Sequence, residues 1–358
     1  MLDQRCDELI ASVEASNALE LEEKIQQLWQ AAQDAAPQEL TGALRRISEV
    51  FDLLPLGPGS RLAILAGALV ERGADPDGLA APIMVGLRRC LRVANELITT
   101  WQHVVGDEEP PMPVDDQEAF NSMITALLQP GSAPDSDSTD ATTRLSPEQA
   151  YRLTEGWFAL NGWAMSAMTL LQSRQVRTQL SIRHELLELM KTVEPVRPDL
   201  EFLTRLLLVL DDERLVVLHR QTGRGYQVTI SGIGDNFQLH TLLAATLSGP
   251  ASDGLLEDIH VDPAWVAAAT DGPLEPPNGP IEGQFNLVDA WGKWIWNEGV
   301  PADIPLLDGQ RVVVLDPPPY PRSWNIGRVY LMMRPEVRLD RILSPEEAAA
   351  WLSRVADQ

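Results

Sequence analysis

Three side chains in the C-terminal part of the chain are of the types that perform general acid–base catalysis: Asp235, His240 and Asp316. An imidazole beside carboxylates can move protons, and Arg322 supplies a cation that can hold an anionic substrate. If the chain is an enzyme, these four residues should meet in one cleft. No catalytic motif contains them, because Gly-x-Ser-x-Gly is absent and Phe237 stands where a dinucleotide-binding loop needs its third glycine.

Aromatic residues are concentrated close by. Trp291, Trp294 and Trp296 fall within six positions, and residues 316–325 form a loop of prolines with Tyr, Arg and Trp. Proline fixes φ, so such a loop loses little entropy when it is held rigid. Because Trp, Tyr and Arg dominate binding hot spots, the pattern predicts a recognition surface. Its members are Trp291, Trp294, Trp296, Tyr320, Arg322, Trp324 and Arg328. The same rings would also serve as the core of a small sheet, or stack on a sugar or planar ligand.

Metal and cofactor sites find little support in the sequence. His219, His240 and His260 lie about twenty residues apart, and this spacing matches no metal-binding motif. Cys6 and Cys90 are the only cysteines and stand far apart, which excludes a disulfide framework and a cysteine-based zinc site. We therefore predict no cofactor and no metal.

The charge balance narrows the class of partner. Among 358 residues there are 28 Lys and Arg against 52 Asp and Glu, a net charge of −24. A chain this acidic repels phosphate backbones, so nucleic-acid binding is not expected, whereas a basic protein would be attracted. The N-terminus lacks an apolar leader, and the apolar run 62–70 is too short to cross a bilayer. We expect a cytoplasmic protein without membrane association; the pattern does not indicate an oligomeric state.

Composition along the chain predicts two structured parts joined by a linker. Apolar residues recur at helical spacing through 1–128, which predicts an all-α bundle or irregular helical array. Residues 129–145 are rich in Pro, Gly, Ser and Asp, which is typical of a flexible acidic linker. Residues 146–358 are predicted as one α+β domain, helical over 146–196 and sheet-containing over 198–358. The fold class is therefore α+β, with a mainly antiparallel sheet and flanking helices; the helices of 146–196 could belong to either half.

Apolar runs and turn residues predict the strands of that sheet. The predicted strands are Leu206–Leu210, Leu215–Leu218, Tyr226–Ile230, a hairpin over Gln284–Trp296, Arg311–Leu315 and Gly327–Met333. The first three should form an antiparallel meander. Asp235 is expected to cap a helix, and the Ser344-Pro345 pair to start the last one.

Three functional hypotheses follow from these observations. The leading one is a non-enzymatic protein-interaction module, such as an adaptor, accessory subunit or inhibitor-type protein, that uses an acidic surface and the rigid Trp/Pro/Tyr loop. The first alternative is a hydrolase or transferase that acts on a small polar substrate in the C-terminal domain. The second is a small-molecule-sensing module, in which the Trp- and Met-rich helix of 151–173 lines an apolar pocket.

Overall fold

The computed structural model describes residues 2–15, 18–113, 117–129 and 145–356. The chain divides into two compact units, an N-terminal unit (Met1–Leu207) and a C-terminal unit (Leu208–Gln358). Residues 130–144, nearly all of the predicted acidic linker, lie outside the described residues.

The described residues of the N-terminal unit form helices and their connections, without a strand. Its helices are α1 (Leu2–Glu14), α2 (Ala18–Ala32), α3 (Pro37–Ser48), α4 (Leu56–Glu71), α5 (Ala80–Val104), α6 (Gln117–Leu128), α7 (Pro147–Leu171), α8 (Arg174–Gln179), α9 (Arg183–Val193) and α10 (Glu201–Leu208). Ser146 caps α7 as its sequence predicts, since its hydroxyl accepts the N–H of Gln149. No helix in the described ranges is both long enough and apolar enough to cross a membrane.

Helix α7 is the centre of the N-terminal unit, because it packs along both α4 and α5. The buried ring of Trp163 lies against the backbone at Gly59 and Gly86, where a side chain would overlap it, and its N–H donates to the Leu56 carbonyl at 3.0 Å. The ring of Trp157 is fully buried as well. Most apolar residues of α7 are thus packed against neighbouring helices, although Met165 is exposed. This helix lies within the N-terminal unit; the sequence had grouped 146–196 with the sheet-containing part but left open which half these helices belong to.

The C-terminal unit contains the strands. They are β1 (Glu213–His219), β2 (Arg224–Ser231), β3 (Ile281–Glu282), β4 (Asn286–Val288), β5 (Leu306–Leu307), β6 (Gln310–Asp316), β7 (Ser323–Trp324) and β8 (Glu336–Ile342). Its helices are α11 (Asn236–Leu247), α12 (Pro263–Ala269) and α13 (Pro345–Leu352). The main sheet has the order β4-β6-β1-β2-β8, with β5 also paired to β6, while β3 and β7 form a separate ribbon.

Only one pairing in these described strands is parallel, that of β1 with β6, so the sheet is mainly antiparallel. Alternate residues of β1 face opposite layers. Leu215 and Val217 join the core beneath α11, whereas Val216 and Leu218 join the core beneath α13. The α+β fold class predicted from the sequence is therefore confirmed.

Two of the predicted strands are wrong. The run Leu206–Leu210 begins within α10, where Leu206 and Leu207 are buried on a helix. A short apolar run does not by itself distinguish a buried strand from a buried helical segment. Residues 327–333 form no strand, and the last strand is β8, whose alternating charged residues lie at the exposed edge of the sheet.

Candidate recognition surface

A tight turn at one edge of the main sheet carries the tryptophans. Strand β4 enters the turn, and a bridge from Val288 to Trp294 closes it. The Asp289 carboxylate accepts hydrogen bonds from the main-chain N–H groups of Trp291 and Lys293, both at 2.9 Å. Asp289 is therefore a positioning residue that fixes the conformation of the turn.

The chain leaving this turn is attached to the N-terminus of α11. The Asn236 side-chain amide donates to the Trp296 carbonyl at 2.8 Å, and the main-chain N–H groups of Asn236 and Phe237 donate to the Asn297 carbonyl at 3.0 and 3.1 Å. The first N–H groups of a helix have no acceptor within the helix, so these bonds satisfy donors that need a partner. The backbone of Trp296 is held firmly, although 71% of the residue is exposed.

The proline-rich loop after β6 lies beside the turn. The ring centroids of Tyr320 and Trp294 are 6.3 Å apart, and the guanidinium of Arg322 lies 5.6 Å from the Trp294 centroid. Such a cation is attracted to the electron-rich face of the indole. Arg322 Nη2 also donates to the Phe285 carbonyl at 2.8 Å. These contacts join the loop to the turn and to the start of β4.

The exposed rings of the turn and the loop are Trp291 (48% exposed), Trp294 (40%), Trp296 (71%) and Tyr320 (53%), and we call them the aromatic surface. Trp294 and Trp296 are alternate residues of one extended segment, while Ile295 between them is buried in the core. Because these tryptophans are exposed to this extent, they do not form the core of the sheet, which was one of the alternatives from the sequence.

His240 lies beneath this region, on α11, and is 1% exposed. Its Nε2 atom accepts hydrogen bonds from the N–H groups of Gln284 and Phe285, both at 3.0 Å. Burial and then the charge of Arg322 lower the pKa of His240 to about 3. The imidazole is therefore neutral at physiological pH, and its basic nitrogen is already occupied by the backbone.

The two candidate carboxylates also bind the protein itself. Asp235 caps α11, since its carboxylate accepts the N–H of Gln238 at 2.8 Å. Asp316 is buried at the end of β6, where Oδ1 accepts from Arg220 Nε at 2.8 Å. The aspartate at position 235 was expected as a cap, and Arg220 is a partner of Asp316 that the sequence analysis missed.

The structure brings some of the predicted site residues together and separates others. The Trp324 ring is 5.2 Å from His240 and 5.0 Å from Phe237, so it forms part of a cluster with Arg322 below the aromatic surface. Arg328 is 8% exposed and donates to the Ala268 carbonyl at 2.8 Å, which places it in the interior. Three of the predicted binding rings, at 291, 294 and 296, share the turn.

The positioning roles of the two residues that hold the surface in place were not predicted from the sequence. Asn236 and Asp289 form hydrogen bonds to the main chain of the turn. An aspartate two residues before Trp291 and four before Lys293 matches an Asx-type turn, and this signal was available in the sequence. The clamp by Asn236 joins segments sixty residues apart, so local patterns do not reveal it.

Across the described parts of the chain, no three His, Cys, Asp or Glu side chains form a group that could hold a metal ion. No protein-family model matches the chain, and neither a curated protein nor a solved structure matches it.

Proposed function

We propose that the C-terminal unit is a protein-recognition module whose aromatic surface binds an exposed, arginine- and lysine-rich segment of a partner protein. The observation that carries the proposal is the combination of high exposure and a rigid backbone at Trp291, Trp294 and Trp296. Rings that are already fixed in place lose little conformational entropy on binding, so more of the contact energy contributes to affinity.

The charge of the chain supports a cationic partner. Residues 208–358 contain 21 acidic and 11 basic residues, and the chain as a whole carries −24. This field attracts a basic protein over long distances and accelerates the encounter. At short range, Trp faces bind guanidinium and ammonium groups, as the stacking of Arg322 on Trp294 illustrates within the chain itself.

The positions of the candidate catalytic residues favour recognition over the hydrolase or transferase alternative. His240 Nε2 accepts two backbone N–H groups, Asp235 caps a helix, and Asp316 is paired with Arg220. A general base needs an accessible lone pair within hydrogen-bonding distance of its substrate. In the described structure these three side chains bind other groups of the protein and so stabilise its fold. We propose that the module is non-catalytic and cytoplasmic.

A direct test titrates the full chain with a fluorescently labelled twelve-residue peptide of alternating Arg and Gly, and follows anisotropy at low salt. We expect saturable binding that weakens about tenfold in the double variant Trp294→Ala/Trp296→Ala, because each exposed cation–π contact contributes about 0.5–1 kcal/mol. Affinity should fall as salt rises, since the charges are screened.

The matched control is Trp29→Ala, which removes an exposed tryptophan from the N-terminal unit. A peptide of alternating Glu and Gly serves as the charge control and should not bind. The proposal fails if the arginine peptide binds the double variant as tightly as the wild type, because binding would then be a general property of an acidic surface.

A further inference from the structure

We propose that Arg322, Trp324 and His240 form a binding site for an oxyanion, a carboxylate or phosphate group, beneath the aromatic surface. Each of these side chains carries a buried N–H donor, and none of the three donors has an acceptor among the described residues: Arg322 Nε, Trp324 Nε1 and His240 Nδ1. The inference is independent of the cationic partner, because it rests on different atoms.

The donor on His240 follows from its hydrogen bonds. Nε2 accepts from two main-chain N–H groups, at Gln284 and Phe285, and therefore cannot carry a proton. The neutral ring has one N–H group, which must be at Nδ1. The buried Nδ1 of a residue that is 1% exposed is consequently a donor that requires an acceptor.

The three side chains are neighbours. Arg322 directly precedes strand β7, and Trp324 ends it. The rings of Trp324 and His240 meet edge to face at 5.2 Å. Arg322 and His240 both bind the main chain of Phe285, the first at its carbonyl and the second at its N–H group.

An oxyanion matches this set of donors better than other groups. A buried donor without an acceptor destabilises the fold, and a charged donor does so more strongly, so each of these three donors favours an added acceptor. Arg322 contributes a positive charge that pairs with a carboxylate or phosphate in charge-assisted hydrogen bonds. Both Arg322 and Trp324 are partly exposed, which gives an anionic group a route from the surface.

The test uses the indole N–H resonance of Trp324 in the ¹⁵N-labelled full chain, assigned with Trp324→Phe. Sodium phosphate and sodium acetate are added separately, with sodium chloride at matched ionic strength as the reference. We expect a saturable downfield shift of this resonance as the indole gains an acceptor. The tighter of the two anions identifies whether the natural group is a phosphate or a carboxylate.

Calorimetric titration of variants gives a second measurement. Arg322→Met should weaken anion binding about tenfold or more, because it removes the charged donor, and Trp324→Phe about threefold, because it removes a neutral one. Trp351→Phe on α13 is the matched control and should bind as the wild type does. Unsaturable shifts equal to those in chloride, or equal affinity in all variants, would overturn the proposal and leave bound water as the partner of these donors.

Discussion

Titration of His240 should make the chain lose stability in mild acid. Its pKa in the folded chain is about 3, against an ordinary value of 6.5 that we assign to the unfolded chain. Between these two values the unfolded state binds one proton more than the folded state. Stability therefore rises with pH from about 3 to 6.5 and is constant, for this group, above that range.

The size of the effect follows from the two pKa values. Each pH unit within the window changes the free energy of unfolding by about 1.4 kcal/mol. At pH 4 the loss relative to pH 8 is about 3 kcal/mol from His240 alone. Carboxylates that titrate in the same range change the total, so the comparison needs a variant in which only this contribution is missing.

The variant His240→Gln provides that comparison. Glutamine places an acceptor oxygen as many bonds from Cβ as Nε2 of histidine, so it can still accept the N–H groups of Gln284 and Phe285, but it does not titrate. Urea unfolding of both proteins from pH 8 to pH 4 gives the difference in the free energy of unfolding. His184→Gln, at a side chain that is 89% exposed, is the control.

We expect the stability advantage of the wild type over His240→Gln to shrink by about 3 kcal/mol between pH 8 and pH 4. Direct NMR titration should show that the His240 resonances stay constant from pH 8 to pH 5. A difference between wild type and His240→Gln that does not change with pH, or a measured pKa close to 6.5, would show that His240 is not held neutral by burial.

Further predictions concern packing and can be checked by chemical unfolding of full-length variants. Ile295→Ala should lower stability by about 2–4 kcal/mol because it leaves a cavity, whereas Trp296→Ala should change stability by less than about 0.5 kcal/mol because the ring is exposed; equal losses would show that the turn is oriented differently. Gly86→Ala should lower stability by about 1–3 kcal/mol because its Cβ overlaps the ring of Trp163, whereas Gly42→Ala, with open space around its Cβ, should raise it by about 0.5–1 kcal/mol. If Gly86→Ala leaves the stability unchanged, α5 and α7 are farther apart than described.

Local rules predicted many elements of the fold correctly. The cap at Ser344 and the strand over Arg311–Leu315 depend on neighbouring residues and appear as expected. The strand prediction for Leu206–Leu210 was wrong because the apolar run crosses the end of α10, and a run of five apolar residues has the same appearance in a helix and in a strand. The edge strand at Glu336–Ile342 was missed because its charged residues, which suit an exposed edge, resemble a loop in composition.

The candidate site was predictable in its residue types but not in their environments. The sequence predicts that Trp294, Tyr320 and Arg322 lie in one region, and the structure places them in contact; their role in recognition stays a prediction. It does not indicate that His240 binds the backbone of Phe285 forty-five residues away. Such long-range contacts decide which ring nitrogen of a histidine accepts a hydrogen bond from the protein. A nitrogen that already accepts such a bond cannot also act as a catalytic base.

Binding of a cationic partner at the aromatic surface can be measured directly from the response of the indole N–H resonances to the arginine-containing peptide. Each of the ten tryptophans contributes one resonance, and single Trp→Phe variants assign those at 291, 294 and 296. We expect these three resonances to shift together and saturably, while the resonance of Trp29 does not move. Shifts spread evenly over all exposed tryptophans, or none at the aromatic surface, would contradict this expectation.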